Sequence, residues 1–519
     1  MVLRMFGLIY LVLFFSSCYS NLGKVYYVDS IDGDDTCSGL SEQSSWKTLS
    51  RANLIQLHPG DQLLFKRGGL YKGRLEISAS GLKEKRIVIG CYGDTTQNLP
   101  VIEAPDSSLY TVRIYNSDYL TIQDLEIVNN GSCRIPKRTG LKIECIDYGI
   151  SAGIKVYNIK VRDVNGSLYK EEGGGSGILF VNKGDKVLSK FDNLSVERCR
   201  ISNCSRNAIM GYGCMDRRRW LPNTNLMIRN NLIEGVPGDG IVPIGCDSAI
   251  IEYNVMRDCP DILPANEAAA GIWPWSCDNT IIQFNQVSGH KAPRDAQGFD
   301  ADYNCKNTVI QYNFSHDNDG GFVLVCNSGD IGYNIGNWGS VIKYNISIGD
   351  GIRKKITKKG YFSPIIHLSG PIKNTMISRN IIHSNVRNCA QMDCSMAVAD
   401  DWNGYADSTS FVENIFYTAS PSRFLFTKST HNYMEGNWYL GVYKDMPLDK
   451  NAQLGSTIYQ ERILEVDNKG YKGLQQLMSP HRLCNELFYF VDKQKIEDFF
   501  VLTINEKNGI NTYKRNKKK

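Results

Sequence analysis

A parallel β-helix is the fold this sequence predicts, and three observations predict it. A short phrase of apolar or β-branched residues, two variable residues and an asparagine recurs down the middle of the chain, ending at Asn231, Asn254, Asn285, Asn313, Asn345 and Asn380. The steps between these asparagines are 23, 31, 28, 32 and 35 residues. At such a period each repeat is one coil, which buries its apolar face only by stacking on its neighbours. Each repeat reads as strand, turn, strand, turn, and is too short to hold a full helix of a βαβ unit every time. Strands of successive coils then stack about 4.8 Å apart, with inward side chains forming apolar ladders. The asparagines are read as one such ladder at a tight turn, each amide bonding the coils above and below and its backbone tolerating left-handed geometry.

The elements follow in order. Residues 1–20 read as a secretory signal: Arg4, an apolar run from Phe6 to Phe15, then "SSCYS". The run is too short to span a bilayer as a permanent helix. "FSSC" is similar to a bacterial lipoprotein box, which would leave Cys18 as the lipid-carrying first residue; simple cleavage near Ser20 is the alternative. The expectation is export to the periplasm, the cell surface or the medium, with membrane contact only through Cys18. Residues 24–105 alternate short β-rich runs with Gly, Asp and Pro turns, and only "SWKTLSRANLI" has a helical pattern. They are expected to cap the solenoid, whose open end would otherwise expose strand edges, and to supply its first coils. Residues 106–440 are the β-helix proper. From 441 to 519 the repeat fades into an extension with one short helix near "LQQLM" and a basic tail expected to be disordered.

Composition excludes little else. Hydrophobic content is 42% and charged content 22%, ordinary for a folded protein. Net charge is +5 and much of it lies in the final "YKRNKKK", so the near-neutral body gives no case for nucleic-acid binding. Of the 16 cysteines, Cys246, Cys277, Cys305 and Cys326 follow short apolar strands at matching repeat positions, and are read as small stacked core residues. Paired CxxC zinc spacing is absent. The sequons at Asn313 and Asn345 are read as ladder positions, not glycan sites.

The opening "YYVDSIDGDDTCSG", the W-K-T-L and P-G-D segments, "LLFKRG" and the asparagine coils together resemble exported right-handed parallel β-helix proteins of the pectin-lyase-like superfamily. The resemblance covers roughly residues 24–440. It implies a right-handed all-β solenoid. For activity it implies only a carbohydrate-directed protein, since that superfamily contains lyases, glycoside hydrolases, epimerases and adhesins.

The repeat phase places candidate chemistry. Segments starting at Gly240, Gly271, Gly298 and Gly321 precede the asparagine phrases, and aligning them puts Ile241, Ile272, Phe299 and Phe322 inside. Alternation then points Trp273 and Trp275 outward on one coil, and Asp300 and Asp302 outward on the next. Two aspartates two residues apart on a strand lie about 6.5–7 Å apart, which suits the acid and base of an inverting glycosidase. An adjacent indole removes water and raises a carboxyl pKa, and offers a flat platform for a sugar ring. The plainer alternative is a solvated strand face, although two outward tryptophans need a ligand, loop or partner to cover them. "SHDNDGG" adds His316, Asp317 and Asp319 as supporting acid/base groups, or reads as an Asx/Gly turn. "SGHKAPRDAQG" adds Lys291 and Arg294 as substrate-binding candidates. "MDRRRW" reads as a wall ending in Trp220 that can meet an anionic sugar, or as a solvated loop. Asp400, Asp401 and Trp402 lie about four coils beyond Trp273, too far to share one reacting atom.

The first functional expectation is a monomeric glycoside hydrolase on a polysaccharide or oligosaccharide, without cofactor. Asp300 and Asp302 serve as acid and base, with His316, Asp317 and Asp319 in support. The second is a Ca²⁺-dependent lyase on a uronic-acid polymer, with Asp300, Asp302, Asp317 and Asp319 as metal ligands. For it the resemblance implies a Lys or Arg base, nearest in Lys291, Arg294, Lys354 or Lys355. The third is a non-catalytic glycan-binding or adhesive solenoid.

Overall fold

The structure is a computed structural model that describes residues 23–327, 333–353, 362–384, 395–400, 406–418, 421–426 and 429–455. The signal segment with Cys18, the residues Lys354, Lys355, Asp401 and Trp402, and the extension after residue 455 lie outside the described residues.

Parallel coils begin at Val25–Val28 and continue to Gln453–Gly455, so regular stacking starts earlier and ends later than residues 106–440. Two sheets of 14 strands each run the length of the solenoid. The first runs from Val25–Val28 to Tyr433–Glu435 and the second from Leu70–Lys72 to Gln453–Gly455. A third sheet comes in two stretches of six strands, one ending at Ile241–Val242 and one starting at Gln297–Ala301. Between them the coil of Trp273 keeps only single bridges, Ile241 to Ile272 to Phe299 and Ile244 to Trp275. The interruption has a local cause: Pro243 and Pro274 lack the N–H that a ladder needs. The coil still bonds both neighbours: the Trp273 N–H donates to the Ile241 carbonyl at 3.1 Å and the Asp300 N–H to the Ile272 carbonyl at 3.1 Å.

The core is a set of inward columns. Ile228, Ile251, Ile282, Ile310, Ile342 and Ile377 pair coil to coil on the first sheet and are all buried. Each such side chain contributes about 1.5–3 kcal/mol on burial. The end of the solenoid is closed by Trp46, which stacks on Tyr26 with centroids 5.3 Å apart and carries Arg51 at 4.4 Å on its ring. The helical pattern there yields a single turn, Leu49–Ala52, whose N-cap Thr48 accepts from the Arg51 N–H at 3.2 Å.

The asparagine ladder is present and longer than the sequence phrase shows. The side-chain amide of each residue in the series Asn231, Asn254, Asn285, Asn313, Asn345, Asn380 and Asn414 donates to the next asparagine at 2.9–3.1 Å, and Asn437 donates to Asp449 at 2.7 Å. The left-handed residue is not the asparagine, as expected, but the one before it: Tyr253, Phe284, Tyr312, Tyr344 and Arg379 have φ of 54–56°. The turn is made one position early, so the asparagine side chain can point into the coil. Cysteines form a second column. The Cys246 N–H meets Cys277 Sγ at 3.3 Å and the Cys277 N–H meets Cys305 Sγ at 3.4 Å. Cys326 does not continue it, because Asn337 pairs with Cys305 instead. All the cysteines named in the described residues are free.

A third interior column carries a titratable group. Asp350 is buried. Its Oδ1 accepts from the Asn318 N–H at 3.0 Å and Nδ2 at 2.9 Å, and its Oδ2 accepts from Ser347 Oγ at 2.7 Å. Burial pushes this carboxyl up from 3.8 to about 7, with hydrogen bonds from Ser315, Ser347 and Asn318 and the charge of His316 opposing. The folded state therefore binds the proton more tightly than the unfolded chain. Its stabilising contribution is full below the unfolded pKa and is lost as pH rises through about 7. Asp350→Asn keeps the shape and removes the titration. Its melting temperature should match that of the wild type below the unfolded carboxyl pKa of 3.8 and exceed it by a margin that grows up to about pH 7 and then levels off; a parallel profile contradicts this.

Candidate active site

The outer face of the third sheet carries the candidate chemistry. Asp300 lies on the strand Gln297–Ala301, opposite Leu324 and, one coil on, His367. Asp302 follows the same strand, and its Oδ1 accepts from Cys326 Sγ at 3.0 Å and from the Tyr303 N–H at 2.6 Å. The glycine alignment holds for Gly240, Gly271 and Gly298 and then slips by one. Gln297 pairs with Gly321, and Phe299 pairs with Val323, not with Phe322. The first three glycines share a close approach: a Cβ on Gly271 would stand 2.4 Å from the Gly298 carbonyl oxygen, and one on Gly298 would stand 2.5 Å from Ser315 Oγ. At the next coil Phe322 fills that space, its ring 6.2 Å from Phe299.

The tryptophans are not the open platform expected. Trp273 is 4% exposed and Trp275 is half-buried. Trp273 Nε1 donates to Asp239 Oδ1 at 3.0 Å, and Lys170 Nζ stands 5.0 Å from its ring centroid. Lys170 belongs to the glycine-rich loop after Val164, which folds back so that the Lys170 N–H donates to Glu267 Oε2 at 2.9 Å. Met210, Val242, Ile244 and Ala270 pack beside Trp273 as an apolar floor, flanked by Leu179, Tyr212 and Trp275. The Trp275 ring meets Tyr303 edge-on at 6.1 Å.

Asp239 and Arg206 form a pair with fully buried side chains, Nη1 to Oδ2 at 2.5 Å, and Arg206 Nη2 also reaches Glu267 at 3.0 Å. Burial opposes ionisation of Asp239, but Arg206, Lys170, the Ala270 N–H and Trp273 hold its carboxyl below the usual range. This network fixes Trp273 and the Lys170 loop in place.

A third aspartate completes the group. Asp295 sits on the short strand Arg294–Asp295, just before Gln297–Ala301, and is half-buried. Burial raises its carboxyl to about 6; Asp239 adds to this, and Lys170, Arg353 and Arg294 oppose it. Burial likewise raises Asp302 to about 6, with Asp295 adding and Cys326, Lys170 and the Tyr303 N–H opposing. Asp300 is 3% exposed and raised well above the ordinary value, first by burial and then by Asp302, Asp295 and Asp239. Its Oδ1 is buried with no hydrogen-bond partner. Three carboxyl groups thus share one local field: Asp300 is enclosed, with burial and its neighbours' charges opposing its ionisation, whereas Asp295 and Asp302 keep accessible surface.

The remaining candidates lie apart. His316 is on the outer face of the second sheet, its Nδ1 2.8 Å from Asp317 Oδ2 and its Nε2 3.0 Å from Gln286 Nε2. Asp319 sits in the turn that follows, where its N–H donates to the His290 carbonyl. His316, Asp317 and Asp319 therefore do not join Asp300 and Asp302, because the chain turns from one sheet to the next between them. The set of four aspartates expected for a metal is not assembled, and among the described residues no group of three or more His, Cys, Asp or Glu side chains is arranged to hold one. Arg294 is exposed beside Asp295, with Nη2 3.4 Å from Asn266 Oδ1. Lys291 is exposed, and its charge is felt at the Cys259 thiol. Trp220 carries the Arg217 guanidinium 3.9 Å over its ring, while Arg217 pairs with Asp278 at 2.9 Å and bonds the Asn304 carbonyl. That loop is tied to the solenoid at Asn304, next to Tyr303, and Arg218 pairs with Asp216. Asp400 is buried and accepts from the Ser429 N–H at 2.6 Å.

The sequence pattern carries Asp295 only as part of "SGHKAPRDAQG" and assigns it no role, and nothing local in the glycine-rich segment after Lys170 shows where that loop folds. Two signals for Asp295 were present: its place just before the Asp300 strand, and a polar turn longer than the coil needs.

The family model described as "Right handed beta helix region" matches residues 176–351. A curated relative, a lacto-N-biosidase of Bifidobacterium longum subsp. longum, is 25% identical over 424 residues, covering 63% of this chain. The chain spans about a quarter of that relative's length, 26%. Among solved structures, a GH136 lacto-N-biosidase from Eubacterium ramulus matches with a TM-score of 0.59 at 24% identity, covering 83% of this chain and 68% of that one. The protein is a right-handed parallel β-helix.

Proposed function

We propose that this protein is a glycoside hydrolase whose reacting pair is Asp302 and Asp295. The observation that carries the reading is the pairing of two accessible carboxyls, each raised to about 6, beside an apolar tryptophan floor. Asp302 receives two donors on one oxygen, Oδ1, which favours its ionised form. It acts as the carboxylate, nucleophile or base, at the anomeric carbon. Asp295 carries the proton to the leaving oxygen. Asp300 is enclosed, and burial with the charges of Asp302, Asp295 and Asp239 opposes a third negative charge there. Lys170, whose charge reaches both carboxyls, and the Trp273, Trp275 and Tyr303 rings supply the surface that a sugar would meet beside them.

The likeness to proteins named lacto-N-biosidase supports hydrolysis over elimination and gives the first substrate class to try, an oligosaccharide ending in a lacto-N-biose unit. The test is incubation with a panel of such oligosaccharides and of uronic-acid polymers, following reducing ends and near-ultraviolet absorbance together. New reducing ends without absorbance are expected. Absorbance from an unsaturated product would replace the reading with a lyase, and neither signal with retained sugar binding would replace it with a binding protein.

A further inference from the structure

We propose that Arg353 is a positioning residue that holds Asp295 in its reactive place from two coils further along the solenoid. The inference rests on the hydrolase reading for its catalytic consequence, and on geometry for the rest. Asp295 and Ala296 are consecutive non-glycine residues in the left-handed region, with φ of 58° and 64°. A non-glycine residue keeps that conformation only where its surroundings hold it there. Three contacts do so here. The Ala296 N–H donates to the Ala269 carbonyl at 2.8 Å, and the Gly320 N–H donates to the Ala296 carbonyl at 3.1 Å. The third is the Arg353 guanidinium: Nη1 donates to the carbonyls of Ala292 at 2.9 Å and Pro293 at 2.7 Å, and Nη2 to that of Asp295 at 2.7 Å.

Arg353 is 8% exposed and lies in the turn after Ile346–Ile348, the counterpart two coils on of the turn that carries Asp295. A planar fork satisfies three carbonyls that an ordinary coil turn would leave bare, which a lysine ammonium cannot do with the same geometry. The intervening coil makes way. Gly320 has no side chain where the Asp295 carbonyl passes, and a Cβ there would stand 1.6 Å from that oxygen. The arginine also places its charge near the Asp295 carboxyl.

The experiment compares crystal structures and steady-state kinetics of wild type, Arg353→Ala and Arg353→Lys on an oligosaccharide that the wild type cleaves. In Arg353→Ala, Asp295 and Ala296 should leave the left-handed region, and kcat should fall by about 100-fold, the cost of misplacing a reacting group by an ångström, with KM changed a few-fold at most. Added guanidinium ion should restore part of kcat, and Arg353→Lys should lose less. Unmoved Asp295 with wild-type kcat overturns the proposal, as does a variant that melts earlier yet keeps kcat. If Arg353→Ala does not fold, undiminished kcat in Arg353→Lys overturns it. A wild type that cleaves no glycoside removes the hydrolase reading instead, and the structures of the variants still decide whether Arg353 sets the Asp295 backbone.

Discussion

Asp302→Asn should lose at least about 1,000-fold in kcat, within the range carried by a reacting carboxylate, and should keep its melting temperature within a few degrees of the wild type. The carboxylate is presented by two donors on Oδ1, the Tyr303 N–H at 2.6 Å and Cys326 Sγ at 3.0 Å. An asparagine oriented with its carbonyl oxygen at that position keeps both bonds, so the local fold survives while the charge is gone. Burial raises the native carboxyl to about 6. Its replacement by a neutral amide therefore costs no folding stability at neutral pH and is expected to add some. Kinetics and thermal melts on the same preparation check both halves. A variant with wild-type turnover removes Asp302 from the chemistry.

Asn313→Ala should be the most damaging single change to the fold. The Asn313 side chain accepts from the Asn285 N–H at 2.9 Å and Nδ2 at 3.1 Å, and donates to the Ile282 carbonyl at 2.9 Å and Asn345 Oδ1 at 3.0 Å. It is 2% exposed, so water cannot replace these partners. Alanine strands the Asn285 N–H and leaves two acceptors underused, at about 1–3 kcal/mol for each buried group left unsatisfied, so a loss of about 4 kcal/mol is expected. Because each coil contacts only its neighbours, the damage should centre on the coils of Asn285 and Asn345 and appear first as faster amide exchange there. Denaturant unfolding with hydrogen exchange measures it; a loss under about 1 kcal/mol would mean that the ladder follows the fold without holding it.

The two cases show what was legible in the chain and what was not. The asparagine ladder could be read because one side chain repeats one contact, so the period is written directly in residue types. The same period put Asp300 and Asp302 outward on one strand and Trp273 and Trp275 on the strand before it, and the structure has that order. Three things escaped it. The phase slips at Gly321, where Phe322 takes the place of a glycine, and a repeat alignment on glycines cannot register a change of side chain at that site. Asp295 stands in a turn, where neither period 2 nor the coil repeat fixes direction, and its left-handed backbone carries no residue signature such as glycine. Lys170 arrives from a loop several coils earlier in the chain, anchored by Glu267 and Arg206, and long-range ion pairs of that kind leave no local pattern. The same blindness produced the expected cluster with Asp317 and Asp319: adjacent coils were on the page, but the turn between two sheets was not.

The pH dependence of kcat/KM on a cleaved oligosaccharide tests the assignment of the reacting pair most directly. Asp295 and Asp302 are each raised to about 6, the charge of Asp295 adding to the shift at Asp302, so the two carboxyls titrate in one pH range. The productive form has Asp302 ionised and Asp295 protonated. A bell centred near pH 6 that has lost most of its height by about pH 8 is therefore expected. Activity that instead rises to a plateau and persists well above about pH 8 would contradict it, since neither Asp295 nor Asp302, each raised to about 6, would then hold the proton.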